Sequence, residues 1–353
     1  MAKRVLVAMS GGVDSTAAAL LLRREGYDCS GAMLKLFAGE NGKCCSLDDA
    51  EDARAAAARL GMDFYVFDET RRFSSEVMDY FVSEYRALRT PNPCIECNRR
   101  LKFGALLDRA LCLGYDAIAT GHYARVSFSD GRYHLLRGVD RRKDQSYVLF
   151  RLTQEQLAHL LLPVGAYDKA SIRALAAQAG LVNADKPDSQ DICFVPDGDY
   201  VNFLKSYGGL ELREGDFVDG AGRVLGRHRG LEAYTTGQRK GLGVSAAGRL
   251  YVVSRDAETN TVRLGEEREL YASALLASDL NWIEPEPSAP LRVSAKTRYS
   301  QNEAAAAVTV NADGTARVDF DEPQRALTPG QAVVLYDGER VVGGGTIERV
   351  LHR

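Results

Sequence analysis

The sequence predicts an α/β fold: a doubly wound parallel-sheet N-terminal domain, then a small β-rich central domain and a C-terminal antiparallel β-barrel. Three observations predict it. Up to about residue 205, apolar runs alternate with helical stretches, the pattern of a parallel sheet covered on both faces. A Ser-Gly-Gly turn joins the first apolar run to the first helical one. After Tyr207, short β-branched or aromatic runs are separated by Gly, Asp and Asn turns, which reads as antiparallel β structure. A chain of 353 residues is too long for a single core, and we expect domains at 1–206, 207–277 and 278–353. The last division rests on the EPEPSAP segment, which starts a fresh series of strands.

Each element has its own justification. Lys3 to Met9 reads as a buried strand, because Val5 to Met9 is apolar without alternation. Ser15 to Glu25 follows as an Ala/Leu-rich helix stopped by Gly26. A second strand is expected over Ser30 to Phe37. Ser46 then suits an N-cap for a helix from Leu47 to Leu60, with Asp48, Asp49 and Glu51 in its first turns, where the helix dipole favours them. Phe64 to Phe67 and Ala117 to Thr120 are further strands. The runs LYVVSRD, NTVRLG, LRVSAKTRY, ARVDFDE, QAVVLYDG and VVGGGTIERVL supply the β structure of the second half.

Composition narrows the class. With 45% hydrophobic and 26% charged residues and no low-complexity tract, the chain is an ordinary globular protein. The first apolar run breaks at Ser10, so it reads as neither signal peptide nor membrane span. Seven cysteines, an odd number, point to a reducing, cytoplasmic setting. A net charge of −3 gives no global attraction to nucleic acid, so any RNA must be held by local basic patches. Such patches exist at Arg99-Arg100-Lys102, Arg141-Arg142-Lys143, Arg227-His228-Arg229 and Arg239-Lys240.

The turn SGGVDS (Ser10 to Ser15) has the chemistry of a phosphate cradle. Glycines let the backbone approach an anion, and a following helix points its free N–H groups at the same place. It lacks the Walker ending and the G-x-G-x-x-G spacing. Asp14 is a candidate ligand of the Mg2+ that accompanies a nucleotide, or a plain helix cap. The remaining chemistry lies in cysteines. Cys94 and Cys97 form a C-x-x-C after a Pro-Asn-Pro turn, a spacing that fits a metal half-site, a redox pair or a sulfur-transfer loop. Cys193 lies in another loop-like segment, KPDSQDICFVP, where a thiolate can stay accessible. Cys29 and Cys112 read as core packing. Adjacent Cys44 and Cys45 lack zinc-ligand spacing.

The loop S-G-G-x-D-S resembles that of the N-type ATP pyrophosphatases. Together with TPNPCIECNRRLKFGALL, ATGHYAR, KDQSYVLF, DSQDICF, GQRKGLG and TPGQAVVLYDG, in this order, it makes the chain similar to the bacterial tRNA-specific 2-thiouridylases. That resemblance implies ATP-dependent replacement of the C2 oxygen of the wobble uridine (U34) by sulfur in tRNAs for Lys, Glu and Gln. ATP with Mg2+ would adenylate the oxygen, and a cysteine desulfurase or sulfur-relay protein would supply persulfide sulfur. Cys193 would carry the persulfide and Cys97 would be the partner nucleophile, the two ending as a disulfide. Ala8, Met9, Ser10, Gly11, Gly12, Val13, Asp14, Ser15, Met33 and Gly121 would contact ATP. Asn92, Pro93 and Cys94 would lie against the target base, and His122, Lys143, Asp144, Gln145, Arg298, Tyr299 and Gln331 would contact tRNA. The enzyme would act as a monomer on one tRNA. Independently of the resemblance, the Gly and charge content of Asn41 to Cys45 and Glu211 to Arg229 predicts that these segments order on tRNA binding.

One departure from the family pattern is Cys94, where many members carry an aspartate; a thiol replaces a carboxylate only if its pKa is depressed. An alternative is therefore an iron–sulfur cluster held by Cys94, Cys97 and Cys193. A second alternative is another adenylating synthetase or amidotransferase with the same loop.

Overall fold

Along β1 (Arg4–Ala8), Val5 and Val7 pack with Met9, Ala53 and Ala56, while Leu6 packs with Phe73, Leu101 and Ile118. One strand thus buries both faces, which is why its sequence shows no polar alternation. The computed structural model describes residues 2–37, 47–181, 192–195, 198–246 and 248–352. The expected cap at Ser46 and the pair Cys44-Cys45 lie outside them.

After β1 come α1 (Val13–Arg24), β2 (Asp28–Lys35), α2 (Leu47–Arg59), β3 (Phe64–Asp68), β4 (Ala117–Ala119), β5 (Ala124–Ser129), β6 (Arg132–Arg137) and β7 (Leu160–Leu161). The first sheet is parallel in the order β3-β2-β1-β4-β7. Strand order reverses at β1, so a crevice forms beyond the carboxyl ends of β1 and β4, the switch point where such sheets bind ligands. α1 starts two residues before the expected Ser15, because Gly12 in extended conformation (φ −88°, ψ 160°) acts as its N-cap. Between β3 and β4 a helix runs over 93–112, with wide i→i+5 turns over Cys97–Ala105. Such widened turns are rare and concentrate at functional sites.

Cys29 is buried, as expected, but Cys112 is exposed. Leu106, Leu107 and Ala110 form the buried stripe of that helix end, and Cys112 falls off it.

Two further sheets follow. The central one has the order Tyr251–Asp256, Thr261–Gly265, Gly215–Val218, Val224–His228. Residues 211–229 include a hairpin with Phe217 and His228 buried. The last is a closed six-stranded barrel, running Tyr271–Trp282, Ala316–Arg325, Ala304–Val310, Leu291–Lys296, Ala332–Asp337 and Arg340–Leu351 and back to the first. The strand Tyr271–Trp282 passes unbroken through Ser278. Sequence reading also missed the β5–β6 hairpin, which joins the barrel edge where Leu136 pairs with Arg340.

Candidate active site

The glycine turn lies at the carboxyl end of β1. The Ser10 N–H donates to Ser15 Oγ (3.2 Å), and the hydroxyls of Ser15 and Thr16 donate to the Gly12 carbonyl (3.0 and 3.1 Å). No side chain caps α1, so its positive end serves the turn itself. Gly121, just beyond β4, comes so close that a Cβ there would lie 2.6 Å from Asp14 C and from Ser15 N. Met9 and Met33 pack in one apolar cluster behind the turn, Val13 is buried and Ala8 half-buried. The structure therefore brings the expected nucleotide residues together.

Asp14 is more committed than its sequence suggests. Lys169 Nζ stands 2.8 Å from both carboxylate oxygens, and the Tyr123 hydroxyl donates to Oδ1 at 2.7 Å. Neither partner was foreseen. A signal existed: Lys169 is the first residue of the helix Lys169–Gln178 after its cap Asp168. A cation there opposes the helix dipole and needs another reason to be present.

The thiol loop is held from both sides. Asn92 Oδ1 accepts from the Cys94 N–H (3.1 Å), with Pro93 at the first helical position. Cys94 is exposed, and Cys97 is buried in the same apolar cluster as Phe73 and Phe81. Cys193, half-buried, packs on that cluster too. Its neighbour Phe194 anchors it, with ring centroids 5.7 Å from Phe73 and 5.3 Å from Phe81. From the barrel, the Pro329 carbonyl accepts from the Thr90 N–H (2.8 Å), and Gln331 Nε2 donates to the Thr90 carbonyl (2.7 Å). Gly330, at φ +91°, lies so near that a Cβ would be 2.6 Å from Thr90 N.

Several residues expected to touch RNA also brace the protein. Arg298 Nη2 donates to Thr328 Oγ1, Ala326 O and Thr236 O (2.6, 2.9 and 3.1 Å). Asp144 accepts from the Gly138 N–H, the Ser146 N–H and the Ser146 hydroxyl. Gln145 Oε1 accepts from the Tyr123 N–H. His122 is buried with Nδ1 2.7 Å from Thr120 Oγ1; desolvation, then nearby Lys102, push its pKa well below the usual value, so the ring is neutral. Lys143 is half-buried, and Tyr299 is 43% exposed, open to a stacking partner.

The basic clusters are partly neutralised. Arg99 and Arg100 pair with buried Glu96, and Arg99 also with Asp279. Arg141 pairs with Glu339 and Arg227 with Asp216. Lys102, Arg142, Arg239 and Lys240 have no ion pair among the described residues. Nor, among them, does any group of three or more His, Cys, Asp or Glu stand close enough to hold a metal. No helix among the described residues is long and apolar enough to cross a membrane.

Comparison with known proteins agrees with this architecture. Family models match residues 3–197 (tRNA methyl transferase HUP domain), 201–266 (tRNA methyl transferase PRC-barrel domain) and 272–347 (aminomethyltransferase beta-barrel domain). The full-length relatives carry a different activity in their name. "tRNA-specific 2-thiouridylase MnmA" of Acetivibrio thermocellus is 49% identical, over 98% of this chain and 99% of its own. The protein of the same name from Carboxydothermus hydrogenoformans is 51% identical over 99% and 98%, and that of Symbiobacterium thermophilum 49% over 100% and 94%. Identity near one half, end to end, outweighs the wording of the domain models, and the chain belongs to the tRNA-specific 2-thiouridylase family.

Proposed function

We propose that this protein catalyses the ATP-dependent 2-thiolation of the wobble uridine of tRNAs for Lys, Glu and Gln. One observation carries the reading furthest: Cys97 and Cys193, about a hundred residues apart in sequence, pack on one apolar cluster. Two thiols packed on one cluster, in a molecule that also carries a phosphate-binding turn, suit sulfur transfer to an activated oxygen. An amidotransferase would have no use for the pair.

Uracil O2 attacks the α-phosphorus of ATP, and pyrophosphate leaves. The SGGVDS amides and the start of α1 stabilise the charge gathering on it, with Lys169 and Asp14 at the mouth of the turn. The terminal sulfur of a Cys193 persulfide attacks C2, and AMP departs with the oxygen. The Cys97 thiolate then attacks Cys193 Sγ and breaks its bond to the transferred sulfur. Sulfur stays on C2, a Cys97–Cys193 disulfide forms, and an external thiol reopens it. Mg2+ would travel with ATP; Asp14 reaches it only by loosening its contacts with Lys169 and Tyr123.

Asn92, Pro93 and Cys94 are proposed to face the base, and Tyr299, His122 and Lys143 the tRNA. Arg298, Asp144, Gln145 and Gln331 serve by holding the loops those residues stand on. A nucleotide in an anticodon loop must be turned out to reach a site between such loops. We propose working domains of 1–206, 207–270 and 271–353, moving the second boundary ahead of the strand that crosses Ser278. A cysteine desulfurase or relay protein supplies the sulfur, and the enzyme works in the cytoplasm as a monomer on one tRNA.

The test is nucleoside mass spectrometry of unmodified Lys-accepting tRNA after incubation with the protein, Mg-ATP, cysteine, a reductant and a cysteine desulfurase. The expected result is one sulfur gained for one oxygen at the wobble uridine, only with ATP. Pyrophosphate release without sulfur gain would retain the adenylation and discard the sulfur transfer.

A further inference from the structure

A lysine without an anion lies close to the thiol loop. Lys296 ends the barrel strand Leu291–Lys296. Its Nζ lies 5.8 Å from the ring centroid of Tyr147 and 5.5 Å from that of Tyr299, and the two rings are 6.0 Å apart at 61°. Among the described residues the ammonium makes these ring contacts but no hydrogen bond and no ion pair.

The neighbouring acids are already engaged. Asp144 accepts from two backbone N–H groups and the Ser146 hydroxyl, and Glu303 pairs with Arg137. Burial pulls the Lys296 pKa down and Asp144 pulls it partly back, so the group is a cation held in a half-dry place. Cation–π contact with the two rings offsets part of that cost. Holding a desolvated charge without a counterion is otherwise unfavourable. Lys169, also largely buried, has Asp14; Lys296 has nothing equivalent.

The surroundings identify the missing anion. Tyr299 is exposed and within electrostatic reach of Cys94, the exposed first thiol of the C-x-x-C. A phosphate bound by Lys296 would belong to a nucleotide whose base lies near the thiol loop.

We propose that Lys296 binds the backbone phosphate of the nucleotide presented to the thiols, beside Tyr299, whose contact with tRNA the family resemblance already implies and whose ring would stack on the unpaired base. This deepens the thiolation reading and rests on it. A lysine contact to phosphate positions the RNA without reading sequence, and an exposed aromatic ring beside it is the usual platform for a single-stranded base. Arg298, two residues on, cannot replace it through Nη2, which three internal acceptors occupy.

The experiment measures binding of a Lys-accepting anticodon stem-loop at several salt concentrations to wild type, Lys296→Met, Lys296→Arg and Tyr299→Ala. Lys296→Met should weaken binding roughly tenfold at low salt and flatten the log–log salt slope by about 0.7, one phosphate on a single strand. Lys296→Arg should keep the wild-type slope, and Tyr299→Ala should weaken binding with the slope unchanged. ATP binding should stay unchanged in all three. In wild-type protein the stem-loop should also protect Lys296 from amine acylation. Unchanged affinity and slope in Lys296→Met, or full acylation at saturating RNA, overturns the assignment. A stem-loop that does not bind wild-type protein at all refutes the tRNA reading instead.

Discussion

Lys169 and Asp14 meet with the lysine ammonium 2.8 Å from each carboxylate oxygen, while the Tyr123 hydroxyl closes the third side at 2.7 Å. The lysine side chain is 11% exposed and the aspartate 30%. The pair holds opposite charges ready at the mouth of the glycine turn, where triphosphate and Mg2+ would exchange partners with them. A preorganised cation at a departing pyrophosphate is worth about a hundredfold in rate, by analogy with loss of one transition-state donor. Lys169→Met should therefore lower tRNA-dependent pyrophosphate release about a hundredfold at saturating ATP, and Lys169→Arg should recover part of it. A pyrophosphate assay settles this; a Met variant with the wild-type rate would remove Lys169 from the adenylation step.

The two halves of the reaction should separate at the cysteines. Cys97→Ser and Cys193→Ser should each abolish sulfur gain by the wobble uridine while leaving AMP and pyrophosphate formation on tRNA within about threefold of wild type. Cys94→Ser should be milder, because Asn92 caps the backbone N–H of residue 94 and not its thiol. Sulfur incorporation by the Cys97→Ser, Cys193→Ser double variant would sink the persulfide mechanism.

What the sequence made legible follows from range of interaction. β1 and β4 could be read because burial on both faces leaves an uninterrupted apolar run, whereas the edge strand β3 leaves Tyr65 and Val66 exposed and the two-residue β7 was missed. The turn Ser10 to Ser15 could be read because its geometry is local. Lys169, 155 residues from Asp14, could be inferred only weakly, from a cation placed against a helix dipole. The β5–β6 hairpin was hidden because its docking on the barrel depends on pairs such as Leu136 with Arg340. Arg298 and Gln331 also bond to backbone carbonyls, a bracing task the sequence could not show, because a polar side chain suits RNA or a carbonyl equally and only packing reveals the second.

The grip of the barrel on the thiol loop predicts a long-range effect. Gly330 has φ +91° and faces Thr90 N at a distance no Cβ tolerates. Gly330→Ala should push residues 89–91 away, lower the melting temperature by several degrees and cut thiolation at least tenfold. Gln331→Ala removes the donor shared by the Thr90 and Pro91 carbonyls (2.7 and 3.5 Å), so it should cost about 1 kcal/mol of stability. Its loss should fall on sulfur transfer, with ATP binding intact. Differential scanning fluorimetry and the nucleoside assay together check both. Full thiolation by Gly330→Ala would mean that the barrel contact does not position Cys97.

His122 predicts how stability depends on pH. Desolvation lowers its folded pKa well below the ordinary value of about 6.5. Below that pH the unfolded chain takes up a proton that the folded protein refuses, so unfolding becomes more favourable. The contribution is complete above about pH 6.5 and is lost as pH falls from there toward the folded pKa. His228 is depressed for the same first cause and adds in the same direction. His122→Asn cannot titrate, and its stability should fall less steeply from pH 7 to pH 5. The difference in slope should be at most about 1.4 kcal/mol per pH unit, the value of one whole proton. Urea unfolding of both proteins across that range checks it, and equal slopes would show that His122 titrates normally in the folded state. Because the ring is neutral at working pH, any contact it makes with RNA is a hydrogen bond and not a charge pair. Binding of tRNA by His122→Asn should therefore keep the wild-type salt slope.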